Sequence, residues 1–195
     1  MTKIVGIIPA RKGSQRLKNK NIYPVNNLPM LSYAINACKQ SKYDIEVFVS
    51  TDSEKIANIA KEYGAKVHER TNKNAKSNVY KQVAIREAAD YIDKNFGEKD
   101  IYLSLQANSP TMTSNEIDKC IDALIKYKRD EIISVDKNLM QDASIRVFRG
   151  KYVFQQDLST NCGVVITDLH DVHTIEDVKI VEKILSKRKK DTNYE

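Results

Sequence analysis

Residues 7–22, IIPARKGSQRLKNKNI, carry five basic side chains (Arg11, Lys12, Arg16, Lys18 and Lys20), one glycine and no carboxylate, directly after an apolar run that stops at Pro9. Residues of these types can hold an anion. Gly13 and Ser14 allow close backbone approach and offer N–H and hydroxyl donors, and the cations supply the opposing charge. If the anion is a triphosphate, cations on the non-bridging oxygens and the departing pyrophosphate stabilise the transition state more than the ground state. Scattered lysines usually mean only a solvated loop, but this cluster sits where a strand ends. The spacings GxxxxGK and GxGxxG are both absent, which counts against P-loop and dinucleotide-binding readings.

The elements that must position this loop alternate along the chain. KIVGIIP (3–9) reads as a strand buried on both faces, followed by a helix over 29–41, a strand over 44–52 and a helix over 53–64 that Gly64 stops. AKVHER is a short strand, 78–97 a long amphipathic helix and 100–106 another strand. The helix over 113–127 opens with Thr113 and Glu116 at capping-box spacing. A strand over 131–136 precedes 144–156, which reads as a hairpin turning at Gly150. A last strand spans 161–167, and Thr174 and Asp177 suit the start of a closing helix over 174–187.

Such alternation predicts right-handed crossovers and one three-layer α/β/α domain, Rossmann-like, with a mostly parallel sheet over residues 1–195. Ligands of such sheets bind beyond the carboxyl ends of the strands, which singles out 10–23, 52–53 and 106–113.

Composition narrows the partners. The formal net charge is +6, yet part of it comes from SKRKKD at 186–191, where a charge run reads as a solvated tail. No helix-turn-helix, zinc-finger or RNA-recognition pattern accompanies it, so nucleic acid is not the expected partner. The apolar runs are too short to span a bilayer and no signal-peptide pattern opens the chain, so a cytoplasmic protein is expected. Three cysteines and three histidines without CxxC spacing argue against a disulfide framework and a zinc site.

Four segments fall in the order, and at about the positions, of motifs in one family: IIPARKGSQRLKNKNI, VSTDSEKIANIAKEYGAKV, LSLQANSPTMTSNEID and DVHTIEDVKIVEKIL. Through them the chain resembles the CMP-sialic acid synthetase (acylneuraminate cytidylyltransferase) family. The resemblance implies a nucleotidyltransferase fold and an enzyme that uses CTP and Mg²⁺ to activate an acidic nonulosonic sugar. It assigns Arg11, Gly13 and Ser14 to the CTP phosphates, and Lys20, beside Asn21, to the α-phosphate and departing pyrophosphate. Lys20 and Arg11 thus become the catalytic candidates. Arg70 and Ser77 (or Asn78) fall on the base-recognition segment. Gln106, Ser109 and Asn161 fall near the ribose and the acceptor, and Asp171 falls on the first position of the family's Asp-x-Asp metal motif. The second position is His173, a poor ligand for an oxygen-seeking cation.

The segment QQDLSTNCGVVITDLHDVH also compresses a stretch that the family uses for its dimer arm and sugar site, which leaves a homodimer open and suggests a smaller acceptor. An octulosonic acid or a phosphonate is the alternative acceptor, and a non-catalytic CTP-binding relative is the alternative to an enzyme.

Overall fold

β1 (Ile4–Pro9) is nearly continuous in β-branched residues because it lies in the middle of a seven-stranded sheet, covered on both faces. Its alternate side chains go to opposite layers. Ile4 and Ile8 join one buried cluster with Leu31, Ile35, Val49 and Leu103, and Val5 and Ile7 join another with Phe48, Ile85, Ile92 and Tyr102. The computed structural model describes residues 2–71 and 80–192.

After β1 comes a two-stranded ribbon, β2 (Pro24–Val25) and β3 (Leu28–Pro29), then α1 (Met30–Lys39), β4 (Ile45–Thr51), α2 (Glu54–Glu62) and β5 (Lys66–Glu69). The second half carries α3 (Lys81–Phe96), β6 (Ile101–Leu105), α4 (Ser114–Lys126), β7 (Glu131–Val135), β8 (Gln141–Arg149), β9 (Cys162–Ile166) and α5 (Ile175–Thr192). The sheet order is β5-β4-β1-β6-β8-β7-β9, with β8 antiparallel to both neighbours and every other strand running with β1. Helices α1, α2 and α4 contribute to the first cluster and α3 to the second, which makes the expected three layers.

The expected hairpin over 144–156 does not form. β8 is already hydrogen-bonded on both sides, by β6 and β7, so no edge is left for a second strand after Gly150. Gly150, at φ +44, instead donates its N–H to Asp100 O (2.8 Å) and starts a 3-10 turn, Gly150–Phe154, that buries Val153 against the α3 layer. The hairpin lies one strand earlier, between β7 and β8. Its turn is held by Asp136, whose Oδ1 accepts from the N–H groups of Asn138 (2.8 Å) and Met140 (2.9 Å).

The expected capping box is present. Glu116 accepts the Thr113 N–H at 2.9 Å and closes the first turn of α4. All three cysteines are free thiols, and burial pushes Cys38 and Cys120 up to about 12, which suits core residues and not nucleophiles. Among the described residues no helix is long and apolar enough to cross a membrane.

Candidate active site

The basic loop leaves β1 at Pro9 and is pinned at four points. Ala10 N–H donates to Ser50 O (2.9 Å), and Lys12 N–H donates to Asp52 Oδ1 (2.8 Å), both on the end of β4. Asn21 is buried and its Nδ2 donates back across the loop to Arg11 O at 3.0 Å. Leu17, the loop's own apolar side chain, is buried in a third cluster with Val25, Met30, Val172 and Val178, which ties the loop to the β2–β3 ribbon and to α5. Gly13 sits at φ +81, a backbone conformation that side-chain-bearing residues rarely adopt, so a glycine is required where the loop turns.

Held this way, the loop walls a crevice of about 290 Å³ beyond the carboxyl ends of the central strands. Arg11, Ser14, Lys20, Asn21, Arg70 and Gln106, drawn from three separate stretches of sequence, all line it. So do Arg16, Lys81, Asn108 and His173. Among the described residues the crevice wall therefore holds five cations (Arg11, Arg16, Lys20, Arg70 and Lys81) and no carboxylate. Lys12 and Lys18 are exposed and lie outside the lining, so only part of the loop's charge is aimed at the ligand.

Arg70 is buried and fixed by its Nη2 on Ser50 O (3.2 Å), which commits part of the guanidinium to the end of β4. Gln106 N–H donates to Ser144 O (2.9 Å) and its Nε2 to Asp142 O (3.3 Å), so the side chain is held at the strand end. Asn108 pairs with the DVH segment in both directions: its Nδ2 donates to Val172 O (3.0 Å) and Val172 N–H donates to Asn108 O (2.8 Å). That clasp places His173 against the basic loop, where Arg16 Nη2 meets His173 Nδ1 at 3.3 Å.

Other expected residues fall elsewhere. Ser109 is buried behind the wall, its Oγ donating to Ser144 Oγ at 3.4 Å. Asp171 shares that layer and accepts from Ser144 Oγ at 3.1 Å. Asn161 lies at the opposite edge of the sheet. It precedes β9, which runs parallel to β7, so it sits at the amino ends of these strands, with its Oδ1 taken by Arg129 Nη1 (2.8 Å) and its Nδ2 by Lys128 O (3.1 Å). Asn161 is thus a structural residue of that edge, and the reading of it as an acceptor contact is corrected. Ser77 and Asn78 lie outside the described residues.

Burial governs the charges. It pushes Lys20 below the usual lysine range, with neighbouring Arg16 and Arg11 adding to the effect and Asp171 opposing it. Asp171 is pushed up, again by burial, against the hydrogen bonds from Ser144 and Ser109. His173 is pushed down by burial and by Lys20 and Arg16, so its imidazole is neutral at neutral pH. With Arg16 donating to Nδ1, the ring proton is placed on Nε2.

Lys81 is the site residue that sequence reasoning missed. Burial brings it down to about 8, with Asp171 and Asp142 opposing that shift and Arg146 adding to it. One signal was available: a lysine in the first turn of a helix opposes the helix dipole, and such local conflicts mark functional positions. A lysine with that pKa is charged below about pH 8 and neutral above it, so anion binding is strongest on the acid side. Affinity for an anionic ligand in the crevice is expected to fall about tenfold from about pH 7 to about pH 9. In Lys81→Met that fall should shrink, as read by calorimetric titration at several pH values.

Mg²⁺ takes six oxygens, several of them from water and substrate phosphates, and one or two from protein carboxylates. Among the described residues no group of three or more His, Cys, Asp or Glu stands ready for a metal. Asp177 is occupied at the start of α5, accepting from His173 N–H and Thr174 N–H at 2.8 Å each. Asp171 is half-buried and the motif's second position is His173, so this segment offers one carboxylate and not a pair.

An open, mostly parallel sheet with helices on both faces defines a three-layer α/β fold, and solved structures share it. A CMP:2-keto-3-deoxy-manno-octonic acid synthetase complexed with CTP superposes with a TM-score of 0.77 at 16% identity, covering 96% of this chain and 100% of that one. A cytidylyltransferase from Leptospira borgpetersenii superposes at 0.74 and 19% identity, covering 95% of this chain and 87% of that one. The cytidylyltransferase family profile matches residues 5–192, and the chain belongs to that family of nucleotidyltransferases.

Relatives agree. Post-translational flagellin modification protein B of Campylobacter coli is 29% identical, covering 96% of this chain and 97% of that protein. N-acylneuraminate cytidylyltransferase A of Danio rerio is 31% identical over 68% of this chain and 30% of its own length. CMP-N,N'-diacetyllegionaminic acid synthase of Campylobacter jejuni is 26% identical, covering 95% of this chain and 96% of that protein. The alignment with the C. coli protein extends over 232 positions, more than the 195 residues present here, so that relative has insertions this chain lacks.

Proposed function

We propose that the chain transfers CMP from CTP to an acidic nonulosonic sugar. The acceptor hydroxyl attacks the α-phosphorus in line, an O–P bond to the sugar forms, the bond to the β-phosphate bridge breaks, and pyrophosphate leaves. The observation that carries this reading is the crevice wall, with five cations and no carboxylate at the carboxyl ends of the strands. Lys20 sits where the loop closes, and Arg11 opens it. Both are placed to oppose charge as it builds on the departing pyrophosphate, the largest electrostatic demand of the step. Gln106 and Asn108 enclose the other side, and the resemblance assigns Gln106 to ribose and acceptor.

Names of the relatives point to the acceptor class: N-acylneuraminate for the fish protein, diacetyllegionaminic acid for the C. jejuni one. The compressed segment before His173 favours an acceptor no larger than these. A second reading, CTP binding without turnover, is favoured by one observation, namely that a neutral His173 bonded to Arg16 stands where the resemblance asks for a carboxylate.

The test is pyrophosphate release with CTP and a panel of acids: N-acetylneuraminic, legionaminic, pseudaminic and 3-deoxy-octulosonic. Release with at least one nonulosonic acid, and not with ATP or GTP in place of CTP, is expected. Tight CTP binding with no release for any acid would establish the second reading instead.

A further inference from the structure

We propose that this chain neutralises the CTP triphosphate with its own cations, Lys81 joining Lys20 and Arg11, in place of a divalent ion held by a carboxylate pair, so that CTP binds without divalent metal. The inference rests on the reading of the crevice as a CTP site.

Three independent observations meet here. First, among the described residues the crevice lining holds no carboxylate, and the one nearby, Asp171, is half-buried with Oδ1 accepting from Ser144 Oγ. Second, the two other groups of the DVH segment and its flank are spoken for. His173 Nδ1 faces Arg16 at 3.3 Å, and Asp177 Oδ2 accepts two backbone N–H groups and the Thr174 hydroxyl (3.1 Å) at the start of α5. Third, a cation has been brought in from an element on the other side of the crevice. Lys81 stands in the first turn of α3, where the helix dipole disfavours a positive charge, and it lines the same cavity as Lys20. Asp171 acts electrostatically on both lysines.

The arrangement is what a fixed cationic cradle needs. Asp171 favours the charged form of both lysines against burial while the ligand is absent, and the ligand's own negative charge then meets groups already gathered in the crevice. A divalent ion entering the crevice meets five cations in its lining and a single carboxylate, Asp171, that already acts on Lys20 and Lys81.

Calorimetric titration of the full chain with CTP decides this, run once in excess EDTA and once with Mg²⁺. Wild type is expected to bind in EDTA with the same affinity as in Mg²⁺ to within a factor of about three. Lys81→Met is expected to bind roughly tenfold to hundredfold more weakly in EDTA and to recover part of that loss when Mg²⁺ is added. Lys81→Arg, which keeps the charge, should stay near wild type. Binding by wild type only when Mg²⁺ is present would overturn the proposal, as would a Lys81→Met variant that titrates like wild type in EDTA. If Lys81→Met fails to fold, the wild-type comparison alone still decides. Absence of CTP binding in both buffers would overturn the underlying reading of the site instead.

Discussion

Replacing Lys20 by alanine is expected to lower kcat by about 10²–10³-fold, the scale for removing one preorganised charge from a transition state. The fold should survive. Lys20 enters the structure through its backbone, with its N–H on Leu17 O (3.1 Å) and its carbonyl accepting from Tyr23 N–H (3.0 Å), and alanine keeps both bonds. Its ammonium is disfavoured by burial, which holds its pKa below the unfolded value. The charged form therefore costs folding free energy at neutral pH, and that cost fades as the pH rises through the lysine range. Deleting the charge should leave the melting temperature unchanged or slightly raised. An effect on KM alone, with kcat intact, would show Lys20 to be a ground-state contact and not a participant in the step.

Arg146→Met should produce the largest loss of stability. Glu131 is fully buried, and Arg146 makes the ion pair with it through Nε while its Nη1 donates to Gln82 Oε1 at 3.1 Å and its guanidinium lies 4.7 Å from the Phe148 ring centroid. The second carboxylate oxygen accepts from Gln155 Nε2 (2.8 Å) and Ser159 N–H (3.1 Å). Removing the guanidinium leaves a buried carboxylate with only neutral donors, at a cost of about 3–5 kcal/mol. For a chain of this length that is a fall of about 6–20 °C in melting temperature. Replacing both partners with apolar residues should restore most of it, since burying the pair is itself costly. A double variant as unstable as the single one would contradict this account. Arg146 is thus committed to the sheet.

The frame was legible because it rests on local signals. Continuous β-branched residues in β1 and the Thr113–Glu116 box at the start of α4 each read correctly, and the alternation of elements implied crossovers and a crevice at the strand ends. The basic loop was legible for the same reason: position after a strand and residue type are both local. Long-range pairing was not. Nothing near Gly150 says that β8 is flanked on both sides, so a glycine that starts a 3-10 turn looked like one that turns a hairpin. Asn161 misled similarly, because the direction in which β9 joins the sheet decides which edge that residue occupies. Lys81 joins the crevice only once α3 has packed across the sheet, and in the sequence it is one lysine among many.

The central claim is that the loop after β1 holds a CTP triphosphate. A crystal structure of the full chain with CTP bound tests it most directly. The account predicts phosphate oxygens within hydrogen-bonding distance of Lys20, Arg11 and the Gly13–Ser14 backbone, with Lys81 reaching the triphosphate from α3. Triphosphate density away from this loop, with the crevice between Arg11, Lys20 and Gln106 left to solvent, would contradict it.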